Sequence, residues 1–249
     1  MGRTLAVFRR ELRALFESPI AYVTIVLFVV SLASLFFFAG YPVGKIPLPS
    51  LWEGGQASLI VLFTWLPLLL AFLMPALCMG TWADERRAGT EELLLTFPLR
   101  TRHVVLGKFL AVWIFASLLV VLTVVPVAFS VDALGDLDWS TVWVGTVGAM
   151  ALAAGYAAIA LPFSAATGEQ LVAFLLGSIV LSLLWASRMA VGLFPAGFAH
   201  ILEYIAPSSH FLESAARGVF DLRDLVYFGL LVLFGLNLNV FLVERRRWA

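Results

Sequence analysis

The stretch ADERRAGTEELLLTFP, residues 83–98, decides how this chain is organised, because it is a charged island between two apolar runs, residues 59–79 and 104–129. Each run is long enough to cross a bilayer, which takes about 20 mostly apolar residues in a helix. A helix satisfies its own backbone hydrogen bonds, as hydrocarbon requires. The island is therefore predicted to connect two membrane-spanning helices at one membrane surface.

The whole chain has the composition of a membrane protein. It is 62% hydrophobic and 13% charged, whereas soluble domains are about 45–50% apolar and about 25% charged. Six apolar runs qualify as spans: residues 20–39, 59–79, 104–129, 141–163, 171–185 (extending to about 190) and 225–243. The predicted fold is all-α, with one integral transmembrane domain over residues 1–249.

The basic residues predict the orientation of the spans, since cytoplasmic connections carry an excess of Lys and Arg. With six spans, twelve of the sixteen basic residues fall on one side: Arg3, Arg9, Arg10, Arg13, Arg86, Arg87, Arg100, Arg102, Lys108, Arg245, Arg246 and Arg247. The other side keeps Lys45, Arg188, Arg217 and Arg223. We therefore expect a multi-pass protein of the cell (inner) membrane with both termini in the cytoplasm.

Residues 1–18 are predicted to form an amphipathic helix that lies in the membrane interface. Its apolar side chains follow helical spacing: Leu5, Phe8, Leu12, Leu15 and Phe16. The alternative is that the basic residues of this segment act only as a positive-inside anchor. Ser18 and Pro19 have the residue types expected at the start of the next helix.

The island belongs to a cytoplasmic segment, residues 81–103, that is predicted to dock on another protein. Thr81 and Asp84 suggest a capped short helix, which Gly89 interrupts. Thr90 can begin a second helix that carries acidic residues in its first turn and leucines near its end. Leucines exposed in this way suit a docking element; alternatively, they fold back onto the bilayer surface.

Residues 192–224, on the external side by the charge count, are too apolar for a free loop and too interrupted by Pro and Gly for a span. They are predicted to form short re-entrant helices that cover the exit of a pathway, and the alternative is an ordered loop. The predicted lid residues are Phe194, Pro195, His210, Phe211, Arg217, Asp221 and Arg223. Arg217, Asp221, Arg223 and Asp224 are expected at the water boundary, paired with one another or with an external partner.

The sequence offers little to support chemistry within this chain. It contains no G-x-x-x-x-G-K-[ST] phosphate loop, and its three histidines form no metal-ligand spacing with Cys78, the single cysteine. Ionisable residues are nearly absent from the spans, which disfavours an ion-coupled carrier. We expect neither enzymatic activity nor a bound cofactor, metal or nucleic acid, and any energy for transport would come from a partner.

Residues 84–98, followed by Arg102 and residues 105–108, resemble the signature of ABC-2 type transporter permeases. The resemblance implies that the island forms the coupling helix, which contacts a separate ATPase subunit that binds ATP and Mg²⁺. It also implies a second permease copy, identical or paralogous. The implied ATPase-coupling residues are Glu85, Gly89, Thr90, Glu91, Glu92, Leu93, Leu94 and Pro98.

Residues 207–211 and 217–228 resemble the branch that includes gliding-motility permeases, which a large auxiliary membrane protein often accompanies. The predicted function is a permease subunit of an ATP-driven exporter. An alternative is a permease-like scaffold that transmits ATPase-driven movement to an extracytoplasmic or auxiliary partner without moving a small cargo. The small residues of the fourth span line a dimer contact or pack inside one protomer: Gly145, Gly148, Ala149, Ala153 and Ala157.

Overall fold

Helices account for nearly all of the chain that the structure, a computed structural model, describes: residues 2–42, 48–55, 57–89, 100–190 and 195–247. No β-strand occurs within these ranges. The helices are α1 Gly2–Glu17, α2 Pro19–Ser34, α3 Leu51–Gly54, α4 Ile60–Cys78, α5 Gly80–Arg87, α6 Thr101–Asp132, α7 Trp139–Ala166, α8 Gln170–Ala190, α9 Ala196–Ile205, α10 Pro207–Glu213 and α11 Leu222–Arg247.

The six predicted spans are confirmed as helices long and apolar enough to cross a membrane. They are α2 with the π-helical turn Leu35–Ala39, α4 continued by α5, and α6, α7, α8 and α11. Helix α5 extends α4 because the one residue between them, Met79, has helical backbone angles. The charged island therefore begins as a direct extension of the second span.

Local sequence explains where several helices begin and end. Pro19 occupies the first turn of α2, where a missing backbone N–H costs nothing. The Asp138 carboxylate accepts a hydrogen bond from the Ser140 N–H at 3.0 Å and so caps α7. Gly89, at φ +68°, follows α5 in the left-handed conformation that ends helices, as its sequence position predicted.

Two expected caps are wrong. The Ser18 side chain makes no capping hydrogen bond to α2. The Thr81 hydroxyl donates instead to the Cys78 carbonyl at 2.7 Å, because Thr81 lies inside a nearly continuous helix and not at a helix start.

Helix α7 lies at the centre of the bundle, in contact with α4, α6, α8 and α11. Its small residues make this packing possible. A Cβ atom at Gly145 would lie 2.4 Å from the Phe63 ring, and one at Gly148 would lie 2.2 Å from the Ala215 Cβ. Ala149, Ala153 and Ala157 are fully buried. The small residues of the fourth span therefore pack inside one protomer.

Helix α1 packs along the first part of α6. Val7 is buried there, and Phe16 meets the Phe115 ring edge-on at 5.2 Å. Leu5 is exposed, although its spacing placed it with the apolar face. The amphipathic helix is therefore held by the third span, and its predicted place in the membrane interface stays a prediction.

Candidate functional site

The end of the bundle where α1, α5 and α6 meet contains a buried lysine. Lys108, on α6, is only 1% exposed. Its Nζ lies 3.0 Å from Glu85 Oε1 and 3.3 Å from Glu11 Oε1, and it donates a hydrogen bond to the Thr81 carbonyl at 2.5 Å. The ammonium group also lies 4.9 Å from the centre of the Trp82 ring. Partners from two other helices thus compensate the desolvated charge, as a buried ion requires.

Arg10 completes what we call the basal charge cluster, which consists of Arg10, Glu11, Glu85 and Lys108. Arg10 Nη2 lies 2.5 Å from both Glu11 Oε1 and Glu85 Oε1. Partial burial works to lower the pKa of Arg10, but hydrogen bonds and charge attraction from the two glutamates outweigh it and raise that pKa. Two cations and two carboxylates therefore join α1, α5 and α6 with balanced charge.

The residue before Lys108 determines how closely α1 approaches α6. A Cβ atom at Gly107 would lie 2.7 Å from Val7 Cγ1 and 3.1 Å from the Phe8 backbone nitrogen. A larger residue would push α1 outwards and separate the carboxylate of Glu11 from Lys108. The Gly107-Lys108 pair of the sequence motif thus has a structural role: the glycine permits the contact and the lysine fixes it.

Hydrogen bonds tie the opposite face of α5 to the end of α7. Arg86 donates to the carbonyls of Thr167 at 2.6 Å and Ala165 at 2.9 Å, where a helix C-terminus favours a cation. Ser164 Oγ accepts from the backbone N–H of Trp82 at 3.1 Å and donates to the Met79 carbonyl at 2.7 Å.

A further bond runs from Gln170, at the start of α8, to Asp84. Helix α5 is therefore connected on one face to α1 and α6, and on the other to α7 and α8. A movement of α5 would reach four other helices through named polar contacts.

The predicted coupling residues divide into two groups. Thr90, Glu91, Glu92, Leu93, Leu94 and Pro98 lie outside the described residues. Gly89 is exposed and ends α5, as described above. Glu85 is 15% exposed and contacts Arg10 and Lys108. Glu85 is therefore part of the basal charge cluster, and its role in ATPase coupling stays a prediction.

Sequence reasoning missed this cluster although one signal was present. Lys108 was counted with the cytoplasmic connection, yet it lies inside the apolar run 104–129 and seven residues into α6. An ionisable residue within a span needs a partner in the bundle. Its partners, Glu11 and Glu85, are distant in sequence, so the sequence alone did not identify them.

At the opposite end of the bundle, α9, α10 and the start of α11 are joined through His210. Its Nδ1 lies 2.8 Å from Asp224 Oδ1, its Nε2 lies 3.0 Å from the Tyr204 carbonyl, and its ring stacks on Tyr227 at 3.9 Å. Asp224 also accepts a hydrogen bond from Ser214. Both ring nitrogens of His210 therefore lie within hydrogen-bond distance of an oxygen atom.

The structure contains short helices where the sequence predicted them, and it places the other lid residues as follows. Phe211 is fully buried, with its ring edge-on to Phe63 at 6.0 Å. The remaining described lid residues are exposed: Pro195, Arg217, Asp221 and Arg223. Phe194 lies outside the described residues.

The charged residues of this segment have different partners from those expected. The carboxylate of Asp224 pairs with His210, as described above, and not with a neighbouring arginine. Asp221 Oδ1 accepts a hydrogen bond from the Arg223 backbone N–H at 2.9 Å, a local turn contact. Asp224 thus pairs with a histidine, and contact of Arg217, Asp221 or Arg223 with an external partner stays a prediction.

A cavity of about 810 Å³ opens beside these residues. Glu203, Glu213 and Arg223 contribute charge to its walls, and α11 contributes apolar side chains. Burial and the charge of Glu203 raise the pKa of Glu213, although the charges of Arg188 and His210 oppose that shift. The segment between α8 and α11 therefore carries an open, charged cavity, while the charged groups of the basal charge cluster are paired with one another.

Comparison with known proteins identifies the family. The family model described as ABC-2 family transporter protein matches residues 45–217, more than half of the chain, including the charged island and the helices α9 and α10. The chain therefore belongs to the ABC-2 transporter family and is a permease subunit of an ABC transporter, a multi-pass membrane protein. Permeases of this family work with an ABC ATPase. No curated protein matches the chain.

Proposed function

We propose that this chain is one of two permease copies, identical or paralogous, that form the translocation pathway of an ATP-driven exporter. It would lie in the cell (inner) membrane with both termini in the cytoplasm. The ATPase subunit, and not this chain, would bind ATP and Mg²⁺. The observation that carries the proposal is helix α5, which extends the second span directly into the island that resembles a coupling helix.

Contacts around α5 supply a route from the ATPase into the spans. Removing one partner of a buried ion pair costs about 3–5 kcal/mol, so the contacts of Lys108 resist separation when α5 moves. Arg86 and Ser164 link the same helix to the end of α7. A displacement of the island would thus carry α1, α6 and α7 together.

The external segment would cover the exit of the pathway on the far side. Its helices α9 and α10 are short, and Phe211 anchors the second of them against the fourth and second spans. The likeness of residues 207–228 to the gliding-motility branch suggests an auxiliary membrane protein as the partner of the exposed residues Arg217, Asp221 and Arg223.

The double substitution Glu91→Gln/Leu94→Ala tests ATPase docking. We expect the ATPase to co-purify at least about tenfold more weakly, since truncating an interface anchor costs about 2 kcal/mol. ATP hydrolysis stimulated by the permease should fall with it, while membrane insertion is unchanged. The measurement is the yield and turnover of the ATPase in pull-downs of the tagged permease.

The matched control is Glu53→Gln/Leu134→Ala, which changes an exposed glutamate and an exposed leucine in connections assigned to the other side of the membrane. The control should retain ATPase binding and turnover. Normal co-purification and turnover of the Glu91→Gln/Leu94→Ala permease would refute docking through the island.

A further inference from the structure

The cavity of about 810 Å³ lies at the end of the bundle opposite to the basal charge cluster. Its size falls within the range of small-molecule sites, about 300–1,000 Å³. Its walls differ sharply in character. Polar and charged residues come from α9, α10 and the first turn of α11, while the apolar side comes from further along α11, a membrane span.

Four carboxyl groups line the cavity: Asp224 contacts His210, Asp221 accepts a hydrogen bond from the Arg223 backbone N–H, and the other two belong to Glu203 and Glu213. Both line the same cavity, and burial together with the charge of Glu203 raises the pKa of Glu213. The mutual repulsion of the two groups favours any cation that enters between them. An ammonium group between them can donate a hydrogen bond to each carboxylate.

The cavity also provides a site for an anion and an unused hydroxyl group. Arg223 lies in its wall, and its guanidinium group suits a phosphate. Ser209, also in the wall, is 2% exposed, and its buried hydroxyl has no hydrogen-bond partner among the described residues. A buried polar atom without a hydrogen-bond partner costs free energy. A polar ligand bound in the cavity would provide the Ser209 hydroxyl with that partner.

The apolar wall is an exposed stripe along one face of α11. Leu222, Val226 and Leu230 follow one another at four-residue spacing on one face of α11, and all three are more than half exposed. Their face runs from the cavity along a helix that crosses the membrane. An alkyl chain that lies on this face would leave a polar headgroup within the cavity.

We propose that this cavity binds an aminophospholipid, with the ammonium between Glu203 and Glu213, the phosphate at Arg223 and an acyl chain along α11. A zwitterionic headgroup meets both signs of charge that the cavity presents, and the lipid tail meets the apolar face. The proposal depends on the chain's place in a membrane and is independent of ATPase docking and of the direction of transport.

Native mass spectrometry of the full-length protein from nanodiscs tests the site. With equal amounts of phosphatidylethanolamine and phosphatidylglycerol, the unsubstituted protein should retain phosphatidylethanolamine at least about fivefold better. Glu203→Gln/Glu213→Gln should abolish this preference, and Ser209→Ala should weaken it about twofold. Gel filtration of each variant checks that it is folded; Glu213 is exposed and Glu203 is half-buried.

Glu17→Gln/Glu53→Gln, a matched loss of two exposed carboxylates elsewhere, should retain the preference. The proposal would be overturned if the Glu203→Gln/Glu213→Gln protein retained phosphatidylethanolamine over phosphatidylglycerol as strongly as the unsubstituted protein does. It would also be overturned if the unsubstituted protein showed no preference between the two lipids. Displacement of the lipid by soluble glycerophosphoethanolamine at low millimolar concentration would identify a free headgroup as the ligand and contradict the lipid assignment.

Discussion

Both ends of this bundle contain charged side chains, but at one end the charges pair with one another and at the other end they face a cavity. In the basal charge cluster, Lys108 is almost fully buried and two glutamates neutralise it and Arg10. At the other end, Glu203 and Glu213 line a cavity of about 810 Å³. Charges that satisfy one another join helices, whereas charges left open to a cavity can bind a ligand. The first arrangement suits transmission of movement and the second suits recognition.

Lys108→Met should disrupt the basal charge cluster and lower the stability of the protein more than the other substitutions considered below. It leaves Glu11 and Glu85 with Arg10 as their remaining cation in the cluster, and removing one partner of a buried pair costs about 3–5 kcal/mol. We expect a clear fall in the thermal unfolding temperature of the protein in detergent. The measurement is unfolding followed by circular dichroism.

Arg102→Met is the matched control, because Arg102 is exposed on the same helix, six residues before Lys108. It should change stability little, since exposed ion pairs contribute about 0–1 kcal/mol. A Lys108→Met protein as stable as Arg102→Met would mean that the buried contacts do not hold the helices together.

Gly107→Ala should loosen the same junction by a steric route. The added Cβ would lie 2.7 Å from Val7 Cγ1, so α1 must shift, and overpacking of this kind costs about 1–3 kcal/mol. Val7→Ala in the same protein should restore part of the lost stability, because it removes the colliding atoms. The measurement is a double-mutant cycle on the free energy of unfolding.

Gly229→Ala provides the control for the change of residue type, since a Cβ atom at Gly229 meets no atom within 4 Å. It should leave stability unchanged or raise it. Equal effects of Gly107→Ala and Gly229→Ala would show that α1 does not pack closely against α6.

Asp224→Asn should have the smallest effect and one confined to the external segment. It weakens the contact with His210 and the hydrogen bond from Ser214, worth about 1 kcal/mol. In a Cys78→Ala background, an impermeant thiol reagent should label Leu202→Cys about fivefold faster once Asp224 is replaced. Labelling kinetics measured from outside the cell provide the test.

Asp136→Asn, at an exposed residue of another connection on the same predicted side, should leave the labelling of Leu202→Cys unchanged. Rapid labelling of Leu202→Cys even with Asp224 intact would mean that the segment is a solvated loop and not a lid.

The spans were predictable because the bilayer imposes a length and an apolar composition that any sequence must meet. The ends of the spans were harder to predict. Helix α6 runs to Asp132, beyond the apolar run that ended at residue 129. The basal charge cluster was not predicted because its contacts join residues 75 and 97 positions apart. Those contacts depend on close packing at Gly107, which no periodic pattern reveals. The contact of Asp224 with His210 spans only 14 residues, but it depends on how α10 packs against the start of α11, which the sequence pattern does not reveal.

The account depends most on the claim that the basal charge cluster transmits ATPase movement to the external end. The direct measurement is the labelling rate of Arg217→Cys, an exposed position, in a Cys78→Ala permease assembled with its ATPase. ATP should change this rate when Glu85 is present. With Glu85→Gln the ATPase should remain bound, and the ATP-dependent change should disappear. An undiminished response to ATP in the Glu85→Gln permease would contradict transmission through the cluster.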